Sequence, residues 1–424
     1  MINETPNNLD QGILVGVTKN ASDTWHMNEY LEELNLLATT AGIDVVDVLT
    51  QHRENIDPAY FIGEGKAQTL AHMVDEQEVN VVIFDDDLSP AQVRNLENLV
   101  DARVMDRSGL ILLIFQLHAR TKEAKTQVEL ARLEYLLPRL TRRWTHLERQ
   151  VGGIGVRGGM GETQIEIDRR LIRNRIAKLK GELKKVEQQR SVRREGRHNE
   201  YRVALVGYTN AGKSTLMNHL CKDNADLLVQ DQLFATLDTT IRSVELTDSH
   251  RILLSDTVGF IRKLPHQLVA SFRSTLAEVQ EADLLIKVVD VNHPQYEEHL
   301  RTVNEVLQDM NCLEIPAVTV FNKIDAVPDT NLLAKVRREH PDAILISAER
   351  DIRLDEVNSR IVDIKEQDYV DDEVTLSVKF GDKIAALHQQ TEVLEKTFVD
   401  TMVHIRYKAH KNDIPRIRGM ILGE

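Results

Sequence analysis

The chain has 424 residues, a formal net charge of −14 and two cysteines, Cys221 and Cys312. That length allows two to four domains with cores of their own, and no apolar run reaches the ~18–20 residues of a membrane-spanning helix. Two cysteines provide neither a disulfide framework nor a zinc site. The first residues lack the basic and apolar segments of a secretory signal, so we expect a cytoplasmic protein.

The N-terminal part has the alternating pattern of a parallel α/β domain. Short runs rich in β-branched residues at 13–17, 45–49 and 81–84 predict strands, and helical patterns follow at 28–40, 66–77 and 89–100. Ser89 and Pro90 suit an N-cap followed by proline at the first helical position. The glycine-containing stretch at 63–66 is too short for a phosphate loop, and we interpret it as a turn into a helix. An accessory ATP site, if there is one, is expected in this domain.

The middle of the chain is basic, although the protein as a whole is acidic. Residues 139–200 contain 17 Lys and Arg against 8 Asp and Glu, so this segment carries +9 and the remainder −23. A helical pattern covers 121–137, and a heptad pattern covers 172–186. We expect these two segments to pair as an antiparallel helical hairpin.

The tip of this hairpin combines cations with a tryptophan and a mobile loop. Six glycines lie between Gly152 and Gly161. Arginine next to an aromatic ring suits contact with phosphates and bases. The predicted RNA-contact residues are Arg139, Arg142, Arg143, Trp144, Arg149 and Arg157. The alternative is a solvated, charge-rich spacer without an RNA partner.

A strand–loop–helix pattern with the spacing G-x-x-x-x-G-K-S predicts a nucleotide site. Its predicted binding residues are Gly207, Tyr208, Thr209, Asn210, Ala211, Gly212, Lys213, Ser214 and Thr215. Lys213 is expected to pair with the β- and γ-phosphates as a catalytic residue, and the Ser214 hydroxyl to ligate Mg²⁺. Asn210 either ligates K⁺, as in some GTPases with asparagine here, or braces the loop.

Two downstream segments are expected to sense the γ-phosphate. The first consists of Phe234, Ala235, Thr236, Leu237 and Asp238, and the second of Asp256, Thr257, Val258 and Gly259. Thr236 is the predicted second hydroxyl ligand of Mg²⁺ and a catalytic residue, with Thr239 and Thr240 as alternatives. Asp256 is expected to hold Mg²⁺ through a water, and the Gly259 N–H to meet the γ-phosphate.

Phe260 follows this second segment, where Ras-type GTPases have a water-orienting glutamine. A phenyl ring cannot orient water, so we expect slow intrinsic hydrolysis. His266 and Gln267 lie further on, and nothing in the sequence shows that either reaches the γ-phosphate. Phe260 can also pack into the core of the domain, and the two interpretations are compatible.

Two further motifs predict that the base is guanine. Asn322, Lys323, Ile324 and Asp325 follow one apolar run, and Ser347, Ala348 and Glu349 follow another. A carboxylate at Asp325 can accept hydrogen bonds from N1–H and the 2-amino group of guanine, whereas adenine would leave it unpaired. A backbone N–H near Ala348 is placed to reach guanine O6.

The C-terminal residues predict a small domain. After an acidic connector at 367–372, alternating apolar residues at 374–380 and 399–407 flank a helical pattern at 382–394, a βαβ-like arrangement. The closing cations contact RNA or protein, or form a solvated face. They are Lys408, Lys411, Arg416 and Arg418, with His410.

The motifs G-Y-T-N-A-G-K-S, F-A-T-L-D, D-T-V-G-F, N-K-I-D and S-A-E together resemble those of the HflX family, in the Obg–HflX group of translation-factor GTPases. Residues 106–112 and 152–162 also resemble that family, so the similarity covers nearly the whole chain beyond its N-terminal tail. The resemblance implies binding to the large ribosomal subunit and its RNA near the peptidyl-transferase region. It also implies dissociation or rescue of ribosomes under stress.

We therefore predict a multidomain α/β GTPase that uses GTP, GDP and Mg²⁺, acts on the large ribosomal subunit and is a monomer. The predicted parts are a flexible tail (1–11), a parallel α/β domain (12–118), a basic helical hairpin with a Gly-rich loop (119–197), a Ras-like P-loop GTPase domain (198–367) and a small α+β domain (368–424). Two alternatives are a ribosome-independent regulatory switch and an RNA-remodelling NTPase with an N-terminal ATP site.

Overall fold

A computed structural model of the chain contains three β-sheets, of four, six and three strands in sequence order. The expected multidomain α/β fold is confirmed. The residues that the structure describes are 10–18, 24–140, 164–195, 200–221, 233–234, 239–247, 250–263, 273–411 and 413–422.

The first sheet is entirely parallel, with strand order β2-β1-β3-β4. Its strands are β1 (Asp10–Thr18), β2 (Ile43–His52), β3 (Val81–Phe84) and β4 (Arg103–Asp106), and its helices are α1 (Thr24–Thr40), α2 (Glu64–Glu76), α3 (Pro90–Val100) and α4 (Arg107–His118). The three predicted strand–helix units are confirmed. Because the chain leaves β1 toward one edge and β3 toward the other, the carboxyl ends of β1 and β3 border a crevice.

Local capping explains where two of these helices begin. The Ser89 side chain accepts from the Gln92 N–H while the Gln92 side chain accepts from the Ser89 N–H, with Pro90 in the first turn. The predicted N-cap is therefore confirmed. Helix α2 begins directly after Gly63, which confirms that the stretch at 63–66 is a turn into a helix.

Strand β4 and helix α4 were not predicted as elements. Helix α4 is buried on several sides, with Leu110, Ile111, Ile114 and Phe115 all at 0–1 % exposure. A helix that is apolar around its circumference has no amphipathic period to detect. Its start is set by Asp106, whose side chain accepts from the Gly109 N–H at 2.8 Å.

Helix α5 (Lys122–Leu136) and helix α6 (Gln164–Glu195) pack against each other through a leucine- and isoleucine-rich seam. Ion pairs flank the seam, with Arg175 bonded twice to Glu129 at 2.7 Å and Lys180 to Glu134 at 2.8 Å. The expected pairing of these two segments is confirmed. None of the helices described in the structure combines the length and apolarity needed to cross a bilayer.

The second sheet is mixed, with order β10-β9-β8-β5-β7-β6, and only the β6–β7 pair is antiparallel. Its strands are β5 (Arg202–Gly207), β6 (Thr240–Thr247), β7 (His250–Asp256), β8 (Leu284–Asp290), β9 (Ala317–Asn322) and β10 (Ile344–Leu345), and its described helices are α7 (Lys213–Leu220), α8 (Arg273–Gln280), α9 (Tyr296–Asp309), α10 (Thr330–Glu339) and α11 (Leu354–Asp368). The expected Ras-like sheet is confirmed. Strand β5 lies in the middle, so its carboxyl end opens between β7 and β8.

The first and second sheets share a continuous apolar core. One buried cluster contains Leu110 and Phe115 of α4 together with Phe234, Phe260 and Val303 of the second unit. The rings of Phe115 and Phe234 meet edge to face with centroids 4.6 Å apart, a favourable aromatic geometry. The N-terminal helices are therefore packed directly on the nucleotide-binding half.

The third sheet corrects three predictions. Its strands β11 (Tyr369–Ser377), β12 (Glu392–Val399) and β13 (Met402–His410) form an antiparallel sheet in order β11-β13-β12, with helices α12 (Gly381–Gln390) and α13 (Ile414–Leu422). The βαβ-like arrangement was wrong because it missed β12. The predicted helix at 382–394 ends at Gln390, and the predicted connector at 367–372 is the end of α11 and the start of β11.

Paired charges explain why that connector was misread. Asp371 bonds Arg406 across the sheet at 2.7 Å, and Asp372 bonds Arg418 at 2.6 Å and accepts from the Tyr407 hydroxyl at 2.7 Å. A strand whose carboxylates have partners on a neighbouring strand or helix looks like a polar linker in the sequence. Arg418 is therefore bound within the protein, as Lys411 is to Asp368 and Arg416 to Asp413.

Candidate nucleotide-binding site

The phosphate loop joins the end of β5 to the start of α7, and two of its glycines are sterically required. A Cβ on Gly207 would lie 2.2 Å from the carbonyl oxygen of Val288, and one on Gly212 would lie 2.2 Å from the Asn322 side-chain nitrogen. Gly212 also has a φ of +91°, which a larger residue adopts only with strain. The loop is therefore in close contact with the strands on one side.

Lys213 is buried at the first position of α7. Its Nζ donates to the carbonyl oxygens of Gly207 at 3.1 Å and Tyr208 at 2.7 Å. Burial lowers the pKa of Lys213 to about 8, and the nearby carboxylate of Asp256 offsets part of that effect. A phosphate beside this ammonium would raise the pKa of Lys213 back toward its ordinary value.

Ser214 and Asp256 form an oxygen-only pair beside Lys213. The Ser214 Oγ donates to Asp256 Oδ2 at 2.5 Å, and Asp256 is fully buried at the end of β7. A hydroxyl and a carboxylate are hard donors of the kind that Mg²⁺ takes beside a nucleotide phosphate. This donor set fits the ion, with Ser214 as the direct ligand. The other predicted ligand, Thr236, lies outside the described residues, as do Ala235, Leu237 and Asp238.

The segment after Asp256 lies directly against the phosphate loop. The Phe260 N–H donates to the Gly207 carbonyl at 3.0 Å, and the Thr209 N–H donates to the Phe260 carbonyl at 2.8 Å. A Cβ on Gly259 would lie 2.7 Å from Thr209 Cα and 3.0 Å from Lys213 Nζ. The predicted γ-phosphate sensor is thus adjacent to Lys213, the lysine predicted to pair with phosphates.

Phe260 itself points into the core and is 1 % exposed. The interpretation that it packs within the domain is therefore confirmed. The side chain at this position is apolar and turned inward, so it provides no group that can orient water. His266 and Gln267 lie outside the residues that the structure describes.

The two segments predicted to recognise guanine are joined by one buried amide. Asn322 Nδ2 donates to the Ala211 carbonyl at 2.9 Å, and Asn322 Oδ1 accepts from the Ala348 N–H at 2.9 Å. Lys323 has a φ of +65° and pairs with Asp290 at 2.8 Å. The phosphate loop and the loops after β9 and β10 are therefore held in one arrangement.

Asp325 lies at the edge of this arrangement and is partly exposed. Its Oδ2 lies 3.9 Å from Arg350 Nε, a long and weak pairing. The Ser347 Oγ accepts from the Arg350 N–H at 3.1 Å, which shapes the loop that contains Ala348 and Glu349. Asp325 is thus accessible to a base that enters between the two loops.

A buried polar network next to the phosphate loop was missed by the sequence analysis. Arg107, at 0 % exposure, donates to Asp85 at 2.7 Å, to Glu33, and from Nε to the Arg262 carbonyl at 3.2 Å. The Tyr208 hydroxyl donates to Glu33 at 2.5 Å and accepts from the Arg262 N–H at 2.8 Å. The second residue of the phosphate loop is therefore bonded to the N-terminal unit.

The Arg262 and Lys263 side chains complete this network. Both pair with Asp85 at 3.0 Å, and the Arg262 guanidinium lies 3.5 Å from the Tyr30 ring centroid. Burial alone would raise the pKa of Asp85, but Arg107, Arg262 and Lys263 hold it below its ordinary value. The carboxylate is therefore ionised and bound to three cations. No local motif marked these residues, since they come from distant parts of the chain.

Of the predicted RNA contacts, the described residues include only Arg139. Its guanidinium bonds Asp106 at 2.9 Å, the Leu88 carbonyl at 2.8 Å and the Tyr135 carbonyl at 3.1 Å. Arg139 is therefore engaged inside the protein, and we no longer assign it to RNA. The predictions for Arg142, Arg143, Trp144, Arg149 and Arg157 lie outside the described residues, with the Gly-rich loop.

Comparison with known proteins finds related family models and a related solved structure. Three family models match in chain order: GTP-binding GTPase N-terminal at 28–116, GTP-binding GTPase Middle Region at 118–197, and 50S ribosome-binding GTPase at 202–323. Among solved structures, a GTP-binding protein from Sulfolobus solfataricus in complex with GDP is 26 % identical, with a TM-score of 0.43 over 84 % of this chain and 99 % of that one.

Bacterial relatives named GTPase HflX match over most of their length. The protein of Flavobacterium psychrophilum is 50 % identical over 77 % of this chain and 78 % of its own, and that of Escherichia coli is 48 % identical over 76 % and 75 %. The protein of Caldanaerobacter subterraneus is 40 % identical over 99 % and 95 %. The chain therefore belongs to the HflX family of GTPases, P-loop enzymes that hydrolyse GTP.

Proposed function

We propose that this GTPase binds the large ribosomal subunit in its GTP state, and that the ribosome stimulates hydrolysis. The observation that carries the proposal is the inward, apolar side chain of Phe260, 1 % exposed. Without a polar side chain at that position, the attacking water has to be oriented by another group. A match to the 50S ribosome-binding GTPase model supports the ribosome as its source.

The residues of the site have separate roles in GTP hydrolysis. Lys213 pairs with the β- and γ-phosphates, and the Gly259 N–H meets the γ-phosphate. Ser214 would hold Mg²⁺ directly, and Asp256 through a water, with Thr236 as the further hydroxyl ligand. When bound, Mg²⁺ supplies positive charge against the phosphate oxygens. Asp325 selects guanine, and the N–H of the loop at Ala348 faces O6.

We propose that the RNA contact lies in the basic segment between α5 and α6. Arg142, Arg143, Trp144, Arg149 and Arg157 combine charge with an aromatic ring that can stack on a base. The outer face of α6 adds exposed cations, including Arg173 and Lys184. Because the remainder of the chain is acidic, the basic segment is the part that RNA attracts. Splitting or rescue of stalled ribosomes under stress is the role we assign to this contact.

The first test is GTP turnover with and without purified large ribosomal subunits, at fixed K⁺ and Mg²⁺. We expect stimulation of about tenfold or more, which corresponds to about 1.4 kcal/mol of barrier. Small ribosomal subunits are the control, because they would reveal stimulation of turnover by ribosomal RNA in general. No stimulation at subunit concentrations that saturate binding would leave a GTPase switch that acts on another partner.

A second experiment tests the basic segment. Replacing Arg142, Arg143 and Trp144 by alanine should weaken subunit binding and leave turnover of the isolated protein unchanged. The matched control replaces Arg337 and Arg338, exposed cations on α10. Equal effects of both sets would show a general charge effect instead of a contact at the tip.

One observation favours a second candidate function, a ligand site in the N-terminal unit. A cavity of about 610 Å³ lies at the crevice between β1 and β3, and its charged lining consists of Asp85, Asp86 and Asp87 with Arg262 and Lys263 of the second unit. Ligands of parallel sheets bind at such crevices, but the carboxylates of the lining outnumber its cations, which disfavours phosphates. ATP hydrolysis that persists in Asp325→Asn, while GTP hydrolysis is lost, would support a separate site there.

A further inference from the structure

Thr209, the third residue of the phosphate loop, faces the γ-phosphate sensor. Its N–H donates to the Phe260 carbonyl at 2.8 Å. Its Cα and Cγ2 lie 2.7 and 2.9 Å from the point where a Cβ on Gly259 would be, and Lys213 Nζ lies 3.0 Å from the same point. Thr209, through its Cα and methyl group, and Lys213 therefore pack closely against Gly259 and leave no room for a side chain there.

The Thr209 hydroxyl is buried and lacks a hydrogen-bond partner among the residues that the structure describes. The whole residue is only 6 % exposed. Buried hydroxyls are nearly always hydrogen-bonded, so each exception calls for an explanation, and a ligand that binds at the loop can supply the partner. Packing does not explain the hydroxyl, because valine would fill the same volume without an unmet polar group.

We propose that the Thr209 hydroxyl donates a hydrogen bond to the γ-phosphoryl group of bound GTP when the Gly259 segment moves back from the phosphate loop. This role depends on GTP binding at this loop and assigns it a side-chain contact. GDP has no oxygen at that position, so the contact distinguishes the two nucleotides. It makes Thr209 a catalytic residue, since it touches the group that is transferred.

The chemistry of the step explains why a hydroxyl is useful there. Negative charge lies on the γ-phosphoryl oxygens as the bond to GDP breaks, and a donor fixed in the loop stabilises it. A hydrogen bond to an ionised oxygen is stronger than one between neutral groups. The Thr209 hydroxyl thus provides a polar contact on the side of the phosphate where Phe260 provides none.

The test compares Thr209→Val, which keeps the shape, with Thr209→Ser, which keeps the hydroxyl. Affinities for GDP and for a non-hydrolysable GTP analogue are measured by titration, together with GTP turnover and the thermal midpoint of the nucleotide-free protein. We expect Thr209→Val to bind GDP within about twofold of wild type and the analogue about tenfold more weakly, with turnover reduced at least as much. Thr209→Ser should restore both.

Stability separates this role from a structural one. Removing an unpaired buried hydroxyl should leave the midpoint of Thr209→Val unchanged or raise it. A lower midpoint, an equal loss of GDP and analogue affinity, or failure of Thr209→Ser to restore activity would each overturn the proposal. If the wild type bound neither nucleotide, the GTP function itself would fail, whereas wild-type binding with an unaffected valine variant would overturn the hydroxyl contact alone.

Discussion

The side-chain amide of Asn322 donates from Nδ2 to the Ala211 carbonyl at 2.9 Å, although 111 positions separate the two residues in sequence. The same side chain accepts from the Ala348 N–H. The predicted phosphate loop and the loops predicted to recognise the base are therefore parts of one hydrogen-bonded unit. We expect a change at its centre to affect binding at both ends of the nucleotide.

Asn322→Ala should lower the affinity for GDP and for GTP analogues alike, by about tenfold or more, because both hydrogen bonds are lost from a buried position. Titration with a fluorescent nucleotide measures this. The control is Asn292→Ala, an exposed asparagine that follows β8, which should bind normally. Unchanged GDP affinity in Asn322→Ala would show that the loops hold their arrangement without the amide.

The pKa of Lys213 predicts how nucleotide affinity depends on pH. In the nucleotide-free protein burial lowers this pKa to about 8, and bound phosphates raise it again. Well below pH 8 the lysine is protonated in both states, so its contribution is constant. Above pH 8 binding requires proton uptake, and affinity should fall about threefold between pH 7.5 and 8.5.

Titrations of GDP across that range measure this effect. Lys213→Arg is the control, because its guanidinium stays charged and its affinity, even if weaker, should not change with pH. A flat wild-type profile would contradict the prediction.

The lowered pKa of Lys213 also has a consequence for folding. The unfolded chain keeps this proton up to about pH 10.5, so the stability of the nucleotide-free protein should rise between pH 8 and 10.5.

Arg107→Met should destabilise the protein by about 3–5 kcal/mol, because Asp85 and Glu33 both lose the buried guanidinium with which each is paired. Urea unfolding followed by circular dichroism measures the shift in midpoint. The matched control is Arg103→Met, since the Arg103–Asp10 pair is about half exposed and should contribute less than about 1 kcal/mol. Similar effects of the two substitutions would show that burial does not govern the strength of the Arg107 pairs.

Phe260→Gln should not accelerate GTP hydrolysis. The side chain at 260 faces the core, so glutamine would bury its amide there and cost about 3 kcal/mol or more. Phe260→Leu, which keeps the position apolar, should retain turnover and lose less than about 1.5 kcal/mol. A glutamine variant with normal stability and faster turnover would mean that this side chain turns toward the phosphate during the reaction.

The nucleotide site could be proposed from the sequence because each of its motifs is local. Strand, loop and helix around Lys213 are contiguous, and the loops after β7, β9 and β10 follow from the rule that ligands meet the carboxyl ends of parallel strands. By contrast, the Tyr208–Glu33 bond joins residues 175 positions apart. No composition or spacing marks such a pair.

Two of the departures from prediction, helix α4 and the start of β11, share one physical cause. Helix α4 is apolar on several sides, and β11 has carboxylates that pair with Arg406 and Arg418. In both, tertiary contacts replace the polar–apolar alternation on which a period analysis depends. Arg139 was misassigned for the same reason, because a cation in a basic run looks solvent-facing until its buried partner, Asp106, is known.

Arg262 is attached to its surroundings through three of its groups, and only the guanidinium belongs to its side chain. The N–H is held by Tyr208, the carbonyl by Arg107, and the guanidinium by Asp85. The first two attachments persist whatever residue occupies position 262, provided it is not proline. The identity of this residue can therefore change while its connection to the N-terminal unit is maintained. Backbone groups of position 262 thus form a junction between the two halves that does not depend on the side chain.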